Sequence, residues 1–286
     1  MAIRDMLVTI DETRAAAIRL DLAGWLANRF RAHLTALHPM PVCPVEFTYD
    51  NYENGLALRH SDGESAGTRR QLEMPQTLAA FETARAGFER CLVKHGRAGD
   101  WRSIVDWGGG EIALRARYVD LAVVGQLDPA DDRPIVPDPA EIALGSSCPV
   151  LVVPYDGRHE TIERHALIAW DGSREARRAV HDALPLLKLV REVTILSTTV
   201  ERGRTERNGG EEIAVHLARH GLNLTVEQWP TDSADPADLL LSRAIDLDAD
   251  LIVLGAHGHN RTRDMVAGGM TRSMLKHMTV PLLISH

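Results

Sequence analysis

Residues 119–125 read VDLAVVG and residues 249–255 read ADLIVLG, so the same short sentence is written once in each half of the chain. Each is an apolar run closed by glycine, too short for an ordinary helix, and therefore reads as a buried strand. The repetition extends beyond these two stretches. PVLVVP at 149–154 answers VPLLISH at 280–286, and SIVDW at 103–107 answers VEQW at 226–229. A strand ending on Asp11 answers one ending on Asp171. The chain is thus read as two copies of one unit, residues 1–156 and 157–286.

Strands alternate with helical patterns in both copies. The predicted fold class is therefore α/β, with two repeated open parallel five-stranded sheets and helices on both faces. Such sheets bind ligands outside the carboxyl ends of their strands, where strand order reverses. Asp11, Gly125, Asp171 and Gly255 all stand at those ends. The closing strands at 149–154 and 280–286 are expected near the contact between the halves, which would pack as an internal pseudo-dimer.

Local signals fill in the units. Ile18, Leu22, Leu26 and Phe30 recur on one helical face behind Thr13, a suitable cap. The strand from His33 to His38 is expected to stop at Pro39, and residues 41–66 read as an irregular surface insertion. Asp235 is the expected cap of a helix over 236–247.

Composition narrows the function classes. A net charge of −8 leaves no basic stripe for pairing phosphates, which argues against broad nucleic-acid binding. No apolar run approaches the roughly 20 residues needed to span a bilayer, and MAIRDMLVTIDE carries charge where a secretory signal needs an apolar core. Cys43, Cys91 and Cys148 are scattered without CxxC spacing, so reduced, buried thiols in a cytoplasmic protein are expected.

The chemistry concentrates in the last stretch. The strand at 251–254 exits through Gly255 and Gly258, a polar segment follows, and Gly268-Gly269 precedes an apolar stripe of Met270, Met274, Leu275 and Met278. Glycines let backbone amides approach an anion closely, and a helix restarting at Met270 offers free amides and a positive dipole end. Arg261, Arg263 and Arg272 add charge nearby. The same glycines also suit plain tight turns. The motif is neither a Walker A loop nor a GxGxxG fingerprint.

Gly255-x2-Gly258-x9-Gly268, between a buried strand and a PxLxxS strand, resembles the universal stress protein family in a tandem, two-copy form. The family pattern, Gly-x2-Gly-x9-Gly-Ser/Thr, binds the phosphates of ATP. The resemblance implies a stress-response protein that senses or signals through ATP or ADP held in the second half, with Mg²⁺ arriving on the nucleotide. Gly255, Gly258, Gly268 and Gly269 would cradle phosphates with His259 and Met270 beside them. Thr271 would assist, and Asp171 would hold the nucleoside. Gly269 departs from the pattern, keeping the amide and losing the hydroxyl.

The first half departs altogether: Gln126, Leu127 and Asp128 follow Gly125, and Asp128, Asp131 and Asp132 would repel a triphosphate. It is read as degenerate for nucleotide. Asp171 equally suits a helix N-cap over 173–187, Trp170 suits ordinary packing, and Trp229 is open to either packing or a base pocket. His257 and His259 have an HxH spacing without a full ligand set, so no metal site is assigned. No nucleophile–base pair stands out. Two other classes stay open, an interaction or small-ligand module without nucleotide and a slow ATP hydrolase; a homodimer is open as well.

Overall fold

A computed structural model describes residues 2–40, 65–105, 109–131, 137–197, 210–229, 236–256, 258–259 and 266–286. In the first half the order is β1 (Asp5–Thr9), α1 (Arg14–Phe30), β2 (His33–Met40), α2 (Ser65–His95), β3 (Gly99–Val105), α3 (Gly110–Ala116), β4 (Leu121–Gly125), α4 (Pro139–Ser146) and β5 (Val150–Val153). The second half runs β6 (His165–Trp170), α5 (Arg174–Leu187), β7 (Glu192–Ser197), α6 (Glu211–Ala218), β8 (Leu224–Gln228), α7 (Pro236–Asp246) and β9 (Leu251–Gly255). It closes with β10 (Gly258–His259), β11 (Val266–Ala267), α8 (Gly269–His277) and β12 (Leu282–Ser285). Nearly all of the 41–66 insertion, with Cys43, His257, Arg261, Arg263, Asp132 and Asp235, lies outside the described residues.

Each half is a parallel five-stranded array, and the two arrays fuse. The strand order is β3-β2-β1-β4-β5-β12-β9-β6-β7-β8, a single ten-stranded sheet. Every pairing in it is parallel except the seam, where β12 runs antiparallel to β5 with Leu283 opposite Leu151. Strand order reverses at β1, which pairs with both β2 and β4, and at β6, which pairs with both β7 and β9.

Alternation along the strands explains the two-sided core. Met6 and Val8 face one apolar layer while Leu7 faces the other, as a period of two requires. Both layers cross the seam: Leu151 and Leu283 belong to one, Val152 and Leu282 to the other. The halves therefore share their hydrophobic cores. A polar tie crosses from α5 to β12, where buried Asp182 accepts from Ser285 Oγ at 2.7 Å and from Arg178 Nε at 2.6 Å.

The repeated Asp-Leu has a structural job. Asp120 Oδ2 accepts from the amides of Arg4 and Asp5 at 2.7 and 3.1 Å, gripping the start of β1. Asp250 does the same to the start of β6, accepting from Glu163, Arg164 and His165 at 2.8, 2.8 and 3.2 Å. A carboxylate meeting several backbone amides is a strong fixture.

One boundary differs from expectation. β2 runs through Pro39 to Met40, because its pairing with β1 ends at Leu37 while β3 continues alongside as far as Val105. Past Leu37 one side of β2 needs no donor, so proline is tolerated there.

Candidate functional site

The carboxyl ends of β6 and β9 carry the loops that build the site. α8 begins at Gly269 behind Gly268, whose backbone is extended and which supplies no capping side chain. The first amides of α8 are consequently uncapped by any Gly268 group and carry the positive end of the helix dipole. They border a cavity of about 310 Å³. Asp171, Gly255, Gly268, Gly269, Met270 and Thr271 all line it, six of the residues predicted from sequence. Trp170 and Trp229 form aromatic walls, and Trp229 is only 8% exposed because it also belongs to the core. Trp170 likewise combines core packing with cavity lining.

Gly258 and His259 are placed differently. They form β10, an antiparallel ribbon with β11 in which Gly258 faces Ala267 and His259 faces Val266. The ribbon leads directly into Gly268. Sequence reasoning treated this segment as an irregular polar loop, since a two-residue strand carries no periodicity to detect.

The glycines have unequal reasons to be glycine. A Cβ on Gly255 would collide with the backbone of Glu175 and Ala176, so this residue permits the first turn of α5 to press against the end of β9. A Cβ on Gly269 would meet nothing within 4 Å. Thr271, which was expected to assist, is 3% exposed and lines the cavity.

Asp171 is not the N-cap of α5. That position is Ser173, whose Oγ accepts from Ala176 N at 3.1 Å. Asp171 Oδ1 instead accepts from Ser173 N at 2.9 Å, which folds the 171–173 turn and leaves the exposed carboxylate at the cavity edge. Gly172 makes this turn possible with φ at +73°, a left-handed conformation that favours glycine. Behind the Trp229 wall, Arg243 of α7 forks onto Glu227 of β8 at 2.7 and 2.5 Å. The pair holds the Glu227 carboxyl below its ordinary range, mainly through this hydrogen bonding.

The first half has a cavity of about 390 Å³ in the matching place, lined by Thr9, Asp11, Arg19, Gly125, Gln126 and Asp128 among others. Arg19 was missed from sequence. The available signal was a charged residue three positions before Leu22 on the apolar face of α1. Nearby, at the end of β2, buried His38 Nε2 lies 2.8 Å from Glu12 Oε1 and its ring stacks on Trp101. The hydrogen bond to His38 is the largest cause holding the Glu12 carboxyl below its ordinary range.

Residues 163–286 match the family model described as the universal stress protein family. The second half of this chain is a universal stress protein domain. The fold extends the likeness to both halves. A universal stress protein from Archaeoglobus fulgidus superposes with a TM-score of 0.67 at 14% identity, covering 98% of this chain and 95% of that one. A functionally unknown protein from Pseudomonas aeruginosa superposes with a TM-score of 0.59 at 18% identity, covering 99% and 92%. At these identities the likeness is one of fold. None of the curated proteins compared with the chain matches it. Among the described residues, no helix is long and apolar enough to cross a membrane, and no group of three or more His, Cys, Asp or Glu is arranged to hold a metal ion.

Proposed function

We propose that the universal stress protein domain binds one adenine nucleotide, ATP or ADP, in the cavity at the start of α8, and that occupancy serves as a signal in a cytoplasmic stress response. The observation that carries this reading is the meeting of a helix N-terminus with an aromatic-walled cavity at the point where strand order reverses. The amides of Gly269 and its neighbours would receive phosphate oxygens, with Gly255, Gly258 and His259 completing the approach. The Trp170 and Trp229 walls suit a purine face, and Asp171 suits a ribose hydroxyl or an adenine amine. Mg²⁺ would enter on the phosphates, keeping waters as its other ligands.

The first half is not expected to take nucleotide, since Asp11, Asp128, Asp131 and Asp156 line its cavity. Gly269 supports a second reading, in which the missing hydroxyl has cost the domain its nucleotide and the protein acts through partners.

Nucleotide released by acid from freshly purified protein, followed by ATP–Mg titration of the emptied chain, separates the two. About one adenine nucleotide per chain, lost in Gly258→Glu, is the expected result. No nucleotide and no binding would leave the second reading. ATP consumed over time, and spared by Asp171→Ala, would instead make the domain a slow hydrolase.

A further inference from the structure

The second half closes a patch of its sheet that the first half leaves open. By strand register Asp5, Thr35 and Arg102 occupy the places of His165, Thr194 and Glu227. In the second half His165 Nε2 lies 2.8 Å from Thr194 Oγ1, Thr194 is buried, and Glu227 is forked by Arg243. In the first half a carboxylate replaces the imidazole and a guanidinium replaces the carboxylate. Neither the half-buried Asp5 carboxylate nor the exposed Arg102 guanidinium is paired with any described residue, and Asp5 Oδ1 is shut away without a donor. A groove of about 540 Å³ remains between α3 and the face of β1, β2 and β3 that carries Leu7 and Leu37. Leu114 and Tyr118, 44% and 83% exposed and four residues apart, stand along it. Large apolar side chains open to solvent beside a groove mark an interaction surface.

The charges decide which partner fits. Glu111 and Arg115 pair at 3.8 Å, and Arg117 donates from Nε and Nη2 to Gly145 O. His33 and Asp100, on the same face of the sheet, lie 3.2 Å apart. One charge of each sign is left over, Asp5 and Arg102. A partner surface of a single sign would answer one and repel the other. The two are also placed symmetrically. Asp5 stands opposite His33, two residues before Thr35, and Arg102 stands opposite Leu37, two residues after it. A two-fold axis beside Thr35 exchanges these positions, so a second copy of the chain brings a guanidinium to Asp5 and a carboxylate to Arg102.

We infer that the α3 face is a two-fold interface between two copies of this chain. Arg102 of each copy pairs with Asp5 of the other, and Leu114 and Tyr118 of both copies cover the groove between them. The interface does not depend on nucleotide binding, since the groove shares no lining residue with the cavity at α8.

Sedimentation equilibrium of the full chain, from about 1 to about 100 µM in about 0.15 M salt to screen its net charge of −8, tests the assignment. A species of twice the 31.5 kDa chain mass is expected. Asp5→Arg and Arg102→Asp each place like charges at both contacts, so each alone should dimerise at least about tenfold more weakly. Mixed together, the two variants restore both pairs, and the dimer should return, which misfolded variants could not achieve. Tyr118→Asp alters a side chain open to solvent, so the fold should survive while the chain becomes monomeric. A parent chain that stays monomeric at about 100 µM would overturn the inference. An undiminished dimer in Tyr118→Asp, or no recovery on mixing the two folded charge variants, would overturn it as well.

Discussion

Changing Gly269 to serine tests whether the start of α8 faces phosphate. The position accepts the change: an added Cβ has nothing within 4 Å, and the backbone is outside the left-handed region. Replacing glycine in a helix by serine gains up to about 0.5 kcal/mol of intrinsic propensity, less at the first helical residue. Stability should therefore be unchanged or slightly higher. Affinity should move further. A hydroxyl donating to a phosphate oxygen contributes about 1.5–3 kcal/mol, against roughly 0.5–1.5 kcal/mol for fixing the side chain. The midpoints of these ranges differ by about 1.2 kcal/mol, or roughly eightfold in Kd.

ATP–Mg titration of the parent chain, Gly269→Ser and Gly269→Ala separates the possible causes. Alanine supplies the Cβ and the helix propensity without the hydroxyl. The expected order of affinity is serine tightest, with alanine close to the parent. If serine and alanine gain equally, the effect comes from helix order. Serine binding no tighter than alanine would refute the placement of phosphate against the first turn of α8.

Other consequences follow from the same geometry. Gly255→Ala should destabilise the protein by about 2–3 kcal/mol, because the new methyl meets the backbone of α5 and cannot be absorbed by a rotamer change; a lowered urea midpoint measures this, while Gly269→Ala should stay within about 0.5 kcal/mol. Cys91 and Cys148 are buried, and desolvation pushes both thiols up to about 11. In Cys43→Ser no thiol should therefore react rapidly with a thiol reagent at pH 8, where roughly 0.1% is thiolate, and two should react after denaturation. The Glu12 carboxyl is held low by His38, so its contribution is present above the ordinary carboxylate range and is lost as pH falls through its folded pKa. Urea midpoints of the parent and Glu12→Gln should thus differ at neutral pH, by less than about 1 kcal/mol after solvent screening, and converge in acid.

The centre of the sheet was readable because its strands are buried on both faces. Leu121–Gly125 and Leu251–Gly255 present unbroken apolar runs, and a fully covered parallel strand has no need to alternate. The glycine stretch follows the carboxyl end of β9, and four of its residues, Gly268, Gly269, Met270 and Thr271, line one cavity. What escaped was tertiary. Gly255 is required by the approach of a helix distant in sequence, which no local pattern records. The Arg19 side chain reads as an anomaly on an apolar helix face until Gly125 is seen opening space for it. Asp171 looked like a cap because Asp, Gly and Ser all suit helix starts, and only the geometry of the turn distinguishes Ser173 from its neighbour. Proline at 39 signalled an end to β2 that the one-sided pairing of that strand removes.

The seam explains how two copies of one unit can come to differ so much at their sites. With β5 and β12 paired, the ten strands form one sheet whose apolar layers continue from half to half. What both halves retain is what that shared scaffold needs: Asp120 and Asp250 each grip the start of the neighbouring strand. The carboxyl-end loops carry no such burden and have diverged, one half keeping the glycine stretch and the other placing Arg19 and a group of carboxylates in the equivalent space. The sites nevertheless remain in mechanical contact. Buried Gln126, which lines the first cavity, donates from Nε2 to the carbonyls of Leu275 at 3.0 Å and Lys276 at 3.3 Å. Those carbonyls belong to the last turn of α8, whose first turn borders the second cavity. Gln126 therefore ties the wall of the first cavity to the helix that borders the second, so the two halves differ at their carboxyl-end loops while sharing an element that touches both.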